Sequence, residues 1–103
     1  MRSRKPAWSP RARADLFEDH GYIAHENSLA ADRFFLDIYR KVEAFARNGL
    51  TGTDRREFGD GIRSFTYRER IIFFKLSDTE LTVLRVLHGR QNISPSYFQD
   101  SET

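Results

Sequence analysis

The sequence contains no cysteine and no long apolar run. The lack of cysteine excludes disulfides, thiol catalysis and a zinc site built from cysteines, and it fits a reducing compartment. No stretch approaches the roughly 20 apolar residues that a bilayer-spanning helix needs. The basic start MRSRKPAWSPRAR is not followed by an apolar stretch, so it is not expected to be a secretory signal. We therefore expect a soluble protein of the cytoplasm.

Histidine is also scarce, with three residues in the chain. His20 and His25 fall on the first expected helix, at a spacing that does not bring both rings to one metal ion. They are expected to be surface or boundary residues. The sequence therefore predicts neither a metal site nor a cofactor.

Net charge is low, at +2, but it is unevenly distributed over the 103 residues. Residues 1–13 carry five basic side chains and no acidic one, residues 14–60 six basic and ten acidic, and residues 61–90 six basic and three acidic. Basic segments on both sides of an acidic middle favour an anionic or acidic partner for the sheet side. A solvated surface without a partner explains the same pattern, and charge alone does not decide. The length predicts one domain, residues 1–103.

The N-terminal half predicts two helices. Ser9 can cap a helix that begins at Pro10 and runs to about His25. A second helix is expected to have Ser28 as its cap and to end at Asn48-Gly49, since glycine accepts a left-handed conformation. The short connection predicts an antiparallel hairpin. The buried stripe of the second helix is predicted from three- and four-residue steps: Ala31, Phe35, Ile38, Val42, Phe45 and Ala46.

The C-terminal half predicts strands. Residues 51–60 are polar and are expected to form a loop, and residues 94–103 a poorly ordered tail. A short strand near Lys5–Trp8 could add to the sheet edge. The expected fold is α+β, an N-terminal antiparallel helical hairpin packed on a curved, mainly antiparallel sheet of three to four strands. The main strand-like runs are residues 62–68, 70–76 and 81–88.

Five segments carry a resemblance to a known family. They read W-S-P-R-A-R-A-D-L from residue 8, Y-I-A from 22, A-A-D-R-F from 30, G-I-R-S-F from 61 and R-V-L-H-G-R-Q-N-I from 85. In this order and spacing the chain resembles the RelE/ParE toxin superfamily of bacterial type II toxin–antitoxin systems. The resemblance covers about residues 6–93. It favours the ParE branch, in which an R-V-L-H-G-R ending is common.

The resemblance implies a toxin domain of the same fold, a cognate antitoxin (ParD-like or similar), and a cytoplasmic bacterial or plasmid setting with a role in plasmid stabilisation. ParE-type toxins inhibit DNA gyrase by protein–protein interaction. Such a mechanism needs no cofactor, no catalytic residue and no sequence-specific DNA binding by the toxin alone. RelE-type toxins instead enter the ribosomal A site and cut messenger RNA without a metal. A ribosome-dependent endonuclease is the first alternative, and a degenerate family member that is stable but inert on both targets is the second.

The RelE-type alternative would use Arg63, Arg85 and His88. RNA cleavage needs a group that moves the proton of the ribose 2′-hydroxyl and cations that stabilise the charge developing on phosphate. His88 matches the histidine of the His-Tyr ending found in nucleolytic relatives, but Gly89 follows it in place of tyrosine. This departure favours the ParE-type reading.

Under the ParE-type reading, the candidates for target contact are Arg63, Arg85, His88 and Arg90. Structural roles explain the same residues. Arg85, within an apolar strand, needs a carboxylate or solvent, because a buried unpaired guanidinium is costly. The candidate carboxylates are Glu57 and Glu69, and the sequence does not distinguish them.

Three aromatic residues are candidates for antitoxin binding: Phe17, Phe34 and Tyr39. They are expected on the outer face of the helical hairpin. An antitoxin segment that is disordered alone would lay an amphipathic helix on this face and an extended piece against the sheet. Scattered exposed aromatics without a partner are the alternative explanation.

Overall fold

The computed structural model describes residues 2–99 as a helical hairpin packed on one face of a five-stranded sheet. The expected α+β fold is confirmed, with one strand more than expected. That strand, β2, lies within the segment predicted to be a loop. The strands are β1 (Lys5–Trp8), β2 (Thr53–Asp54), β3 (Arg63–Tyr67), β4 (Arg70–Leu76) and β5 (Glu80–His88). The helices are α1 (Pro10–Ala24) and α2 (Ser28–Arg47), with 3-10 turns at Arg56–Phe58 and Pro95–Phe98.

The strands lie in the order β1-β5-β4-β3-β2. Strands β3, β4 and β5 form the expected antiparallel meander, whereas β1 pairs in parallel with β5. Lys5 lies opposite Glu80, and Trp8 lies opposite Val83. The β4–β5 register shifts between Phe73 and Phe74. Such irregularities bend a strand and increase its twist, which curves the sheet.

Both helices begin at side-chain caps. The Ser9 hydroxyl accepts a hydrogen bond from the Ala12 N–H (3.0 Å) and donates one to the Leu84 carbonyl (2.8 Å), which fixes the start of α1 to β5. For α2 the prediction of Ser28 was wrong by one residue. Asn27 is the cap, because its extended backbone lets the carboxamide oxygen accept from the Ala30 N–H at 3.0 Å.

One hydrophobic core lies between the hairpin and the sheet. The predicted stripe of α2 is confirmed except at one step: Phe34 is 5% exposed, and Phe35 is only half-buried. Phe34 belongs to the core cluster, and the guanidinium groups of Arg68 and Arg70 also lie over its ring, 5.7 and 5.0 Å from its centroid. The prediction that Phe34 faces outward is therefore wrong. The members of this core are Ala12, Leu16, Phe34, Ile38, Val42, Phe45, Ala46, Ile72, Phe74, Leu81, Val83 and Val86.

The β3–β4 turn is tied to both helices. Its two residues, Arg68 and Glu69, have φ of 51° and 62°, in the left-handed region that favours glycine or asparagine. Arg68 forms an ion pair with Asp37 of α2, and Arg70 forms one with Asp19 of α1 at 3.0 Å. These contacts hold the turn despite its backbone conformation.

A second apolar cluster covers the opposite face of the sheet, and the C-terminal 3-10 turn takes part in it. Phe98 is buried there, and its ring lies 4.9 Å from that of Phe73. The prediction of a poorly ordered tail is therefore wrong for Pro95–Phe98, because its aromatic residues pack on apolar side chains of the strands. Residues 100–103 of that predicted tail lie outside the described residues. None of the helices within residues 2–99 combines the length and apolar character needed to cross a membrane.

Candidate functional site

Arg85 is a buried structural residue of β5. Its residue exposure is 7%, and it forms a bidentate pair with Asp15 of α1. The Nε and one terminal nitrogen each donate to a carboxylate oxygen at 2.8 Å. Asp15 also accepts from the Val86 backbone N–H at 2.9 Å. Strand β1 pairs with β5 only as far as Val83. Beyond that point, the Asp15 carboxylate of α1 binds a backbone N–H at the edge of β5.

Arg85 also makes a third hydrogen bond within the protein. A terminal nitrogen donates to the Tyr97 carbonyl at 2.9 Å, and the guanidinium carbon lies 5.6 Å from the centroid of the Tyr97 ring. The hydrogen bonds with Asp15 raise the pKa of Arg85 above its ordinary value. The expected partners Glu57 and Glu69 were both wrong. Asp15 lies 70 residues away in sequence and was missed.

Arg63 and His88 make local contacts at two ends of the sheet. Arg63 donates to the carbonyls of Thr51 and Gly52 (3.3 Å for Gly52), which fastens the loop before β2 onto β3. His88 ends β5, and its Nδ1 accepts a hydrogen bond from the Arg90 backbone N–H at 3.4 Å. Both residues are half-buried, whereas Arg90 is exposed.

The strand register separates the three residues of the nucleolytic alternative. On β4, Phe74 pairs with Arg63 and Arg70 pairs with His88. The offset between these β4 positions is about 13 Å along the strand, and crossing from β3 to β5 adds about 10 Å sideways. The backbones of Arg63 and His88 are therefore about 16 Å apart, toward opposite ends of the meander, and both side chains make local contacts within the protein.

The helical hairpin carries a second candidate surface, an apolar groove between α1 and α2. Phe17 is 68% exposed on α1 and Tyr39 is 42% exposed on α2. Phe35 lies between them, with its ring centroid 6.3 Å from that of Phe17. Trp8 stacks on Tyr39, with centroids 6.0 Å apart and an interplanar angle of 6°. The groove holds two cavities, which are lined by Trp8, Arg13, Leu16, Phe17, His20, Asp32, Phe35, Leu36 and Tyr39.

The structure thus brings Phe17 and Tyr39 together and replaces Phe34 with Phe35. Sequence reasoning missed Trp8 and Leu36 as groove residues. The helical period could have found Leu36, because it lies three residues before Tyr39 on the same flank of α2.

The histidines of α1 serve structural contacts. His20 Nε2 lies 2.8 Å from Asp32 Oδ1, which joins α1 to α2 at one end of the groove. His25 is the C-terminal capping residue of α1. Across residues 2–99, no three histidine or carboxylate side chains are grouped so that they could hold a metal ion.

Comparison with known proteins identifies the family of this chain. Residues 7–93 match the family model described as the ParE toxin of the type II toxin–antitoxin system parDE. The chain is similar to Toxin ParE3 of Caulobacter vibrioides, with 28% identity over 57 residues. That alignment covers 55% of this chain and 54% of the relative, so the chain spans about half the length of the curated relative that it matches.

Two solved structures share the fold. The chromosomal ParDE system from P. aeruginosa gives a TM-score of 0.68 at 22% identity, covering 82% of this chain and 95% of that one. The toxin–antitoxin complex RelBE2 from Mycobacterium tuberculosis gives a TM-score of 0.60 at 19% identity, covering 85% and 93%. At these identities the likeness concerns the fold alone.

Proposed function

The chain belongs to the ParE toxin family of type II toxin–antitoxin systems, and from this premise we propose that it inhibits bacterial DNA gyrase by protein–protein contact. It would act in the bacterial cytoplasm, where a cognate antitoxin would neutralise it. This mechanism requires a binding surface and neither a cofactor nor a reacting side chain.

The main support for this proposal is that the guanidinium of Arg85 is buried and bound within the protein. Its guanidinium is bound by Asp15 and by the Tyr97 carbonyl, and its side chain is 9% exposed. In this conformation it is not available to stabilise a phosphate during RNA cleavage. Together with the separation of Arg63 from His88, this supports binding over catalysis.

The proposed target contact lies at the end of β5. Arg90 is exposed and follows His88 in a turn closed by the His88 N–H, which donates to the Gln91 carboxamide oxygen at 2.7 Å. An exposed arginine at the rim of an interface steers association and fixes orientation. Arg85 would support this end of the protein as scaffold, whereas Arg63 lies toward the other end of the sheet and holds the loop before β2.

The groove on the hairpin is the proposed antitoxin surface. Its exposed aromatic residues would bind the apolar side of an antitoxin segment, as an amphipathic helix binds an apolar groove. The two similar solved structures are titled as toxin–antitoxin systems, which supports a partner of this class.

The test combines two assays on one purified sample. Gyrase is assayed for supercoiling of relaxed plasmid, and a translating extract is assayed for cleavage of messenger RNA. We expect lost supercoiling or accumulated DNA cleavage complexes with intact message. Arg90→Ala should raise the half-inhibitory concentration about three- to tenfold, in the range of interface arginines. Arg33→Ala, an exposed arginine on α2, serves as the matched control and should leave inhibition unchanged.

The opposite result is equally specific. Codon-phased cuts in the message that disappear with His88→Ala, while gyrase stays active, would refute gyrase inhibition. The chain would then be a ribosome-dependent endonuclease, and the Arg85–Asp15 pair would have to open during catalysis.

A further inference from the structure

The two cavities of the hairpin groove differ in size. One has a volume of about 400 Å³ and is lined by Phe17, His20, Asp32, Phe35 and Leu36. The other has a volume of about 180 Å³ and lies between Trp8 and Tyr39 on one side and the α1 residues Arg13, Leu16 and Phe17 on the other. The cavities share Phe17 and Phe35 as a common wall. They therefore follow each other along the groove without a gap.

The spacing of the cavities matches a helix. On α1 the lining shifts from Arg13 and Leu16 to His20, and on α2 it shifts from Tyr39 to Asp32. Averaged over all the residues that line each cavity, including the shared Phe17 and Phe35, the shift is about three residues on each helix. Because a helix rises 1.5 Å per residue, the cavity centres lie about 5 Å apart, close to one helical turn. Side chains at positions i and i+4 of a partner helix lie at this spacing.

The two cavities also carry opposite charges at their outer ends. Arg13 lines the smaller cavity and is exposed. Asp32 lines the larger cavity, and its side chain is 66% exposed although it also contacts His20. Size and charge are thus coupled: the large cavity has the acidic rim and the small cavity has the basic rim.

We infer that Arg13 and Asp32 set the register of the antitoxin helix in this groove. The matching segment carries a large apolar residue with a basic residue beside it, then a smaller apolar residue one turn away with an acidic residue beside it. This side-chain order fits either direction of the helix. Reversing the helix keeps the basic residue beside the large apolar residue and the acidic residue beside the smaller one. This inference rests on the proposed antitoxin partner and deepens it, because it states the side-chain order that the partner must have.

The probe is a pair of helical peptides of identical composition. In the matched peptide, Phe and Val lie four positions apart, with Lys one turn beyond Phe and Glu one turn beyond Val. In the exchanged peptide, Lys and Glu trade places. Neither contains tryptophan, so Trp8, the only tryptophan of the chain and a wall of the small cavity, reports binding by its fluorescence.

We expect the matched peptide to bind with a Kd about tenfold lower than that of the exchanged peptide, because two exposed charge pairs change from repulsion to attraction. The preference should shrink at about 1 M salt, where the screening length falls to roughly 3 Å. In the double variant Arg13→Glu/Asp32→Lys, the preference should invert. Arg33→Glu, a neighbouring charge change outside the groove lining, should preserve it.

Equal affinity of the two peptides, or no saturable change in Trp8 fluorescence with either, would overturn the inference. So would a preference that Arg33→Glu alters as much as the double variant does. Gyrase takes no part in this assay. Lost charge preference in a chain that still inhibits gyrase would refute only the inference, and intact preference without inhibition would refute only the proposed target.

Discussion

The Arg85–Asp15 pair is expected to be the most sensitive polar contact in the fold. Both side chains are 9% exposed, and the carboxylate also accepts from the Val86 N–H. Asp15→Ala would leave the guanidinium buried with the Tyr97 carbonyl and without a counter-charge. Removing one partner of a buried pair costs about 3–5 kcal/mol, a large share of the roughly 5–15 kcal/mol that stabilises an average domain. In urea melts this corresponds to a midpoint lowered by roughly 2 M or more.

The assay is urea unfolding followed by far-ultraviolet circular dichroism and by Trp8 fluorescence. Asp15→Asn keeps the shape of the side chain, removes the charge and should cost less, which keeps a folded variant measurable. The double variant Asp15→Ala/Arg85→Ala should lose less than the sum of the single variants, because contacting residues are coupled. The matched exposed pair is Arg56–Asp54, at 2.7 Å with side chains 82% and 42% exposed. Its variant Asp54→Ala should not shift the midpoint measurably. An equal effect of Asp15→Ala and Asp54→Ala would refute the reasoning from burial.

Three further results are expected. Phe34→Ala, a core truncation, should lower the free energy of unfolding in urea by about 3–5 kcal/mol. Phe35→Ala, in the half-exposed groove, should lower it by under about 2 kcal/mol. Equal losses would contradict the assigned faces of α2. Phe98→Ala should release the C-terminal turn and speed protease cleavage there, and unchanged cleavage would show that Phe98 does not anchor it. The Asp54 carboxyl has a lowered pKa, chiefly through its hydrogen bond from Arg56. Its stabilising contribution, too small at this exposed site to move the urea midpoint, is present above the ordinary aspartate pKa and is lost as pH falls through the lowered value. Carboxyl NMR titration should find that lowered pKa, and Arg56→Ala should raise it toward the ordinary aspartate value, although the backbone N–H of residue 56 still donates to the carboxylate.

Local patterns in the sequence predicted most of the fold. The limits of α1 follow from Ser9 and Pro10, and its end at Ala24 agrees with the expected stop near His25. The three long strands agree with the predicted runs to within one or two residues. These features depend on neighbours in sequence, such as caps, turns and periodicity, and a single sequence contains them.

The remaining features depend on residues far apart in sequence. Phe34 and Phe35 are adjacent, and Phe34 is the one that packs in the core, where Arg68 and Arg70 of a distant hairpin also contact its ring. The partner of Arg85 was sought among carboxylates closer in sequence, while the structure uses Asp15 from α1. Only the assembled packing of helix on sheet selects these pairs.

The hairpin groove was predicted in part for the same reason. Phe17 and Tyr39 were recognised as exposed aromatics from the helical period. Their cavities, however, are formed by side chains from both helices and from Trp8 of β1. Neither cavity volume nor the charge at each end can be inferred before the interhelical packing is known.

The parallel pairing of β1 with β5 has a consequence for synthesis on the ribosome. Lys5 cannot pair until Glu80, its partner in the strand register, has been synthesised. At about 5–20 residues per second, the delay between making these residues is roughly 4–15 s. During this time both helices can form, but Trp8 has no strand beside it and α1 has no Arg85 to hold Asp15. The nascent chain therefore acquires its complete sheet, and with it any activity of the folded protein, only after the last strand has left the ribosome.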